Sequence, residues 1–99
     1  MSAEMSQRLY EIARLHKVLS NENRLSIVQH LSGGELGISE LAAKSAMPPS
    51  ILFQHLRVLT KSGLVVNQKQ GRQSCYFISK QSSEHALSLL RQLFGANRE

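Results

Sequence analysis

The apolar period of this chain changes once, at Gly63, and that change constrains the fold more than any other feature. Before it, apolar residues recur at intervals of three and four, the mark of helices with one buried face; after it they alternate, the mark of strands. Met5, Leu9, Ile12, Leu15 and Leu19 predict a first helix over about 6–19. Ser20 or Asn21 is placed to cap a second helix, with Leu25, Val28 and Leu31 on one face and Gly33-Gly34 at its end. A short third helix is expected from Ile38-Ser39 to about Ser45, capped by Ser39, with Leu41 and Ala42 turned inward. Pro48 and Pro49 cannot lie inside a helix, because each lacks an amide hydrogen and its ring clashes with the preceding turn, yet proline suits the first helical position. A fourth helix therefore begins at about Pro49 and puts Leu52, Leu56, Leu59 and Gly63 on one inward face.

After Gly63, residues 64–70 (LVVNQKQ) and 74–79 (SCYFIS) are rich in β-branched and aromatic side chains and flank Gly71-Arg72, which reads as a two-stranded hairpin. A last helix follows over about 83–94, with Ala86, Leu87, Leu90, Leu93 and Phe94 apolar. The expected architecture is mainly α with a small β-hairpin, in the order ααααββα. Its 99 residues, 41% of them apolar, fit one domain spanning 1–99. At this size a monomer leaves a large share of its surface exposed, and a second copy would help to cover it. No apolar run approaches the roughly 18 residues of a membrane span, and the N-terminus has no secretory pattern. The single Cys75 makes neither an intrachain disulfide nor a four-cysteine zinc site, which agrees with a cytoplasmic protein away from membranes.

Charge is unevenly placed. Residues 1–47 are neutral overall, whereas between Glu40 and Glu84 there is no acid, only Lys44, Arg57, Lys61, Lys69, Arg72 and Lys80. Solvated basic surfaces usually interleave both signs, so a long stretch of one sign points to a polyanion, first of all nucleic acid. An acidic protein or a membrane surface is the alternative partner. The outward face of the fourth helix collects Ser50, Phe53, Gln54, Arg57 and Lys61, and the hairpin tip carries Lys69 and Arg72. A short helix, a turn at 46–48 and a second helix (39–62 together), followed by a basic hairpin at 64–79, is the plan of a winged helix-turn-helix, whose second helix enters the major groove of double-stranded DNA. On that plan Ser50 and Gln54 contact base edges, and Arg57, Lys61, Lys69 and Arg72 contact phosphates. Phe53 has two uses open to it: touching a thymine methyl, or folding back against the third helix as an edge of the core.

Arg14–Leu31 (RLHKVLSNENRLSIVQHL), residues 35–43 (ELGISELAA), residues 48–65 (PPSILFQHLRVLTKSGLV) and residues 71–79 (GRQSCYFIS) together resemble the ArsR family of bacterial repressors. The resemblance covers about 9–94. It implies a homodimer formed through the first and last helices (6–19 and 83–94) that binds an imperfect palindrome in a promoter until a signal releases it. It also marks departures. Metal-sensing members carry Cys-Val-Cys where this chain has Gly37-Ile38-Ser39, so both thiolates are missing. Members that sense zinc between the last helices need an acid, a histidine two residues later and a further histidine, whereas this chain offers adjacent Glu84 and His85 and no later histidine. Phe53 stands where the family commonly has serine. His55 matches the family's histidine in the recognition helix and lies beside inward Leu56, a structural position with a phosphate contact as the lesser option.

No enzymatic constellation is present: the chain has no aspartate, and its glycines form neither a dinucleotide-binding nor a phosphate-loop pattern. No cofactor is expected. A metal or metalloid effector stays open, through an intersubunit site from His16 and His85; the other reading of His16, His30, His55 and His85 is that of ordinary helix-surface histidines. Cys75 shares a strand face with Phe77. If that face is buried the thiol is inert packing; if it is open near Lys69 or Arg72, its pKa falls and it becomes a redox thiol.

Overall fold

The computed structural model describes residues 2–80 and Ser88. Helix α1, Ala3–Leu19, begins three residues earlier than its apolar period suggests, because the Ser2 hydroxyl accepts the Met5 amide at 3.0 Å and caps the extra turn. Only Leu19 of α1 is fully buried; Leu15 and Val18 pack against the core from its edge. Asn21, one of the two expected caps, accepts the Arg24 amide at 3.1 Å and starts α2, Glu22–Leu31. Ile27, Val28 and Leu31 carry α2's buried face.

A two-residue strand that periodicity did not show, β1 (Leu36–Gly37), precedes α3 (Ile38–Ser45). The cap of α3 is Gly37, not Ser39: the Glu40 carboxylate reaches back to accept the Gly37 amide at 3.1 Å, and Ser39 lies exposed within the first turn. Ala46, in the left-handed region at φ 54°, ends α3 and turns the chain, donating its amide to the Ala42 carbonyl at 3.1 Å. Pro48 then caps and Pro49 opens α4, Pro49–Lys61, as the two prolines predict. Leu52, Leu56 and Leu59 are its buried residues. Gly63 does not extend that face; it is exposed beyond the helix at φ +86°, where it turns the chain into the sheet.

Strands β2 (Val65–Gln70) and β3 (Gln73–Ile78) pair antiparallel, Val65 opposite Ile78 and Gln70 opposite Gln73. Gly71 alone of the two loop residues has positive φ, +68°, the pattern of a type II′ turn. On its other side β3 pairs with β1, Leu36 opposite Tyr76 and Gly37 opposite Cys75, giving an antiparallel sheet of order β1-β3-β2. The observed order is thus ααβααββ; the expected helix at 83–94 lies outside the described residues. One core joins Ile27, Val28 and Leu31 of α2, Leu41 of α3, Leu52, Leu56 and Leu59 of α4, and Leu64, Val65 and Tyr76 of the hairpin.

Leu59 is fully enclosed in the core, so truncating it removes buried contacts and leaves a cavity. Leu59→Ala is expected to destabilise the fold by about 2–5 kcal/mol in urea unfolding, against within about 0.5 kcal/mol for Val58→Ala at the exposed neighbouring position.

Candidate nucleic-acid interface

Burying Leu52, Leu56 and Leu59 turns the opposite side of α4 to solvent. Ser50, Gln54, Arg57 and Lys61, spaced four, three and four apart, form one exposed stripe along that side. The turn from Ala46 to Pro48 leaves the N-terminal end of the stripe uncovered: Pro48, Pro49 and Ser50 are all exposed. No acidic residue occupies the first turn of α4, so the positive end of the helix dipole is left free to act on an anion.

Phe53 is 51% exposed, and is therefore not the core edge against α3 that was one of its two expected uses. It leans toward the hairpin, where with Leu56, Arg57 and Thr60 of α4 and Asn67 and Tyr76 of the sheet it lines an open groove. Arg57 lies both in the stripe and in this groove, between helix and hairpin. Lys69 and Arg72 are exposed on the hairpin, Lys69 opposite Ser74 and Arg72 in the loop. Polar and basic groups of α4 and of the hairpin thus flank one groove.

Three members of this surface escape a reading by residue type. Val58 is 38% exposed on the outward side, four residues after Gln54, a spacing that would have found it. Thr60 and Asn67 both line the groove, and alternation from buried Val65 places Asn67 on the same sheet face as Lys69. Behind α4, on its flank toward α2, His55 lies 3.4 Å from Arg24 Nη1 and 3.4 Å from Asn23 Nδ2.

Cys75 is buried opposite Gly37 and Gln68. Burial pushes its thiol above the ordinary value, and a hydrogen bond with Glu35 and the charges of Glu35 and Glu40 push it the same way. Burial and the neighbouring acids favour the protonated form, so the environment is that of a packed thiol. The third-helix metal position does not fit a metal either: Gly37 is tied up in the β1–β3 pairing and the α3 cap, and Ile38 and Ser39 bring no thiolate. Among the described residues no three His, Cys, Asp or Glu side chains cluster as a metal site would require. His16 is exposed, its Nδ1 2.9 Å from the Ile12 carbonyl of its own helix; His85 lies outside the described residues.

A short helix, a left-handed turn and a second helix with a bare polar and basic side, flanked by a basic hairpin, define a winged helix-turn-helix DNA-binding protein. The chain belongs to the arsR family of bacterial regulatory proteins, whose family model matches residues 21–66. Among its relatives, the transcriptional activator HlyU of Vibrio cholerae is 32% identical over 91 residues, covering 92% of this chain and 84% of the relative. The biofilm growth-associated repressor of Xylella fastidiosa is 30% identical over 96 residues, covering 97% of this chain and 84% of the relative. The structure of reduced HlyU from Vibrio cholerae superposes with a TM-score of 0.79 over 94% of this chain and 98% of that one, at 31% identity. The homodimeric winged helix-turn-helix DNA-binding domain of Mb0332 from Mycobacterium bovis does so with a TM-score of 0.77 at 26% identity, over 94% of this chain and 86% of that one. The chain is accordingly a transcriptional regulator that binds DNA, not an enzyme. No helix among the described residues is long and apolar enough to cross a membrane.

The raised thiol pKa sets an expected rate. Cys75 of the folded protein should react with a disulfide reagent more slowly at neutral pH than in urea, and faster as pH rises, when followed by thiol release.

Proposed function

We propose that this chain acts as a homodimeric repressor that reads an imperfect palindrome in a promoter, with α4 in the major groove and the hairpin on the adjoining backbone. The observation that carries the reading is the exposed stripe Ser50, Gln54, Arg57 and Lys61 on a helix whose other side is core. Ser50 and Gln54 are the base-contacting residues, Gln54 having the amide geometry that pairs with adenine. Phe53, half exposed at the stripe's edge, touches a thymine methyl in this reading. Arg57, Lys61, Lys69 and Arg72 hold phosphates, Arg57 from the groove between helix and hairpin.

Residues 1–99 act as one domain in this reading, with α1 and the segment 83–94 forming the dimer. Support comes from α1, where Met5, Leu9 and Tyr10 are 50%, 47% and 59% exposed, an apolar face over which, among the described residues, the Arg14 guanidinium lies 5.8 Å from the Tyr10 ring. Two copies would set their α4 helices about 34–36 Å apart, one turn of DNA between half-site centres. Repression is the action proposed because occupying promoter DNA is enough to produce it, and because the Xylella relative is named a repressor. The releasing signal does not use the third-helix cysteine pair, which this chain lacks. A cytoplasmic location follows from a DNA partner.

Fluorescence anisotropy on a duplex from the chain's own upstream region and on a scrambled duplex, at two salt concentrations, tests this. Preference for the native duplex with steep salt dependence is expected; equal, weak binding to both by a correctly dimeric protein would overturn it. Arg57→Ala or Arg72→Ala should weaken binding to both duplexes and lower the salt slope by about one, whereas Gln54→Ala should cost about 1–3 kcal/mol, mainly on the native site.

A further inference from the structure

The back of α4 carries a polar contact between helices that neither the core nor the outward stripe requires. His55 is partly buried between Leu56 and the outward Gln54, and both of its ring nitrogens face α2. Nδ1 lies 3.4 Å from Arg24 Nη1, and Nε2 lies 3.4 Å from the Asn23 side-chain amide. Arg24 does not end there: its Nε donates to the Val18 carbonyl in the last turn of α1 at 2.6 Å. Its own amide is held by the Asn21 cap at 3.1 Å. A single arginine, anchored by its backbone in the first turn of α2, therefore reaches the end of α1 and the side of α4 with its guanidinium.

A guanidinium has donors only, so the contact with His55 needs a free lone pair on Nδ1. The neutral ring then carries its proton on Nε2, facing Asn23, whose amide presents its oxygen to that proton after a half-turn. A doubly protonated ring would turn an N–H at the guanidinium, two donors and two positive charges meeting at one contact.

We propose that Arg24 and His55 are positioning residues for DNA binding, holding α4 against the corner of α1 and α2 at the angle that presents Ser50, Gln54 and Arg57, and doing so only while the imidazole is neutral. The proposal rests on α4 being the helix that reads DNA. Arg24 is the charged group that α2 brings to the ring; α2 adds the neutral Asn23, α1 contributes a carbonyl by way of Arg24, and the α4 cations Arg57 and Lys61 lie on the outward side. Burial first, and then the Arg24 charge, hold the His55 pKa below its ordinary 6.5. The contact is intact at neutral pH and is lost as pH falls through that lowered value, because protonation then breaks it.

The test is operator affinity of the dimeric protein and of His55→Gln at about pH 7.5 and at a pH below the midpoint of the His55 ring's own NMR titration, with circular dichroism confirming the fold at both. Acidification should weaken wild-type binding roughly fivefold or more relative to His55→Gln, which keeps a neutral side chain at both values. Arg24→Gln should bind more weakly at neutral pH and lose the pH difference. Parallel pH profiles for wild type and His55→Gln overturn the proposal, as does wild-type binding that tightens in acid relative to the variant, which would mean a direct phosphate contact. Failure of the wild type to bind operator at neutral pH would instead reject the reading of α4. A reciprocal measurement needs no variant: NMR titration of the His55 ring should give a lower pKa in the DNA complex than in the free protein, and an equal or higher value there overturns the proposal.

Discussion

Burial of Leu52, Leu56 and Leu59 fixes the rotation of α4 about its own axis, and the rest of the molecule's use depends on that. With three leucines enclosed against α2 and the sheet, the helix has one rotational setting that loses no apolar contact, and it bares Ser50, Gln54, Arg57 and Lys61. A turn of the helix by one residue would expose a leucine and bury a charged or amide group with no partner, each costly. The chemistry of the outward side is therefore independent of the fold, and residues there are free to vary with the DNA they meet.

The hairpin is positioned by a different device. Pairing with β2 alone would leave β3 a flexible two-stranded ribbon. Gly37 and Leu36 clamp β3 from its other edge, and because Gly37 also caps α3, the sheet and the first helix of the helix-turn-helix share one residue. The groove between α4 and the hairpin takes its width from this junction and from the packing of Leu64, Val65 and Tyr76 on the α4 leucines.

Most of this was legible from residue spacing, because four-three-four leucines and alternating strands leave strong periodic signals. Pro48-Pro49 located the start of α4 to the residue. What escaped had short-range signals too weak or partners too far away. Two residues of β1 carry no period, and their partners lie beyond two helices. Ser39 is a better cap by residue type than Gly37, but the strand pairing at Gly37 fixes where the helix begins and Glu40 supplies the missing bond. Gly63 matched a leucine spacing that the helix no longer followed. The outward stripe was readable, whereas the groove residues Thr60 and Asn67 and the Arg24–His55 contact join positions that only the folded chain brings together.

The strand order has a consequence for how the chain reaches this state. The hairpin closes through a two-residue loop and needs little entropy to form, but the β1–β3 pairing joins residues about 40 apart and encloses the whole helix-turn-helix within its loop. Of the two pairings that β3 makes, this one therefore carries much the larger loop-closure cost, which the packing of the enclosed helices must offset. The costlier of the two closures thus falls where the groove is set, at the junction of the two halves of the DNA-binding surface.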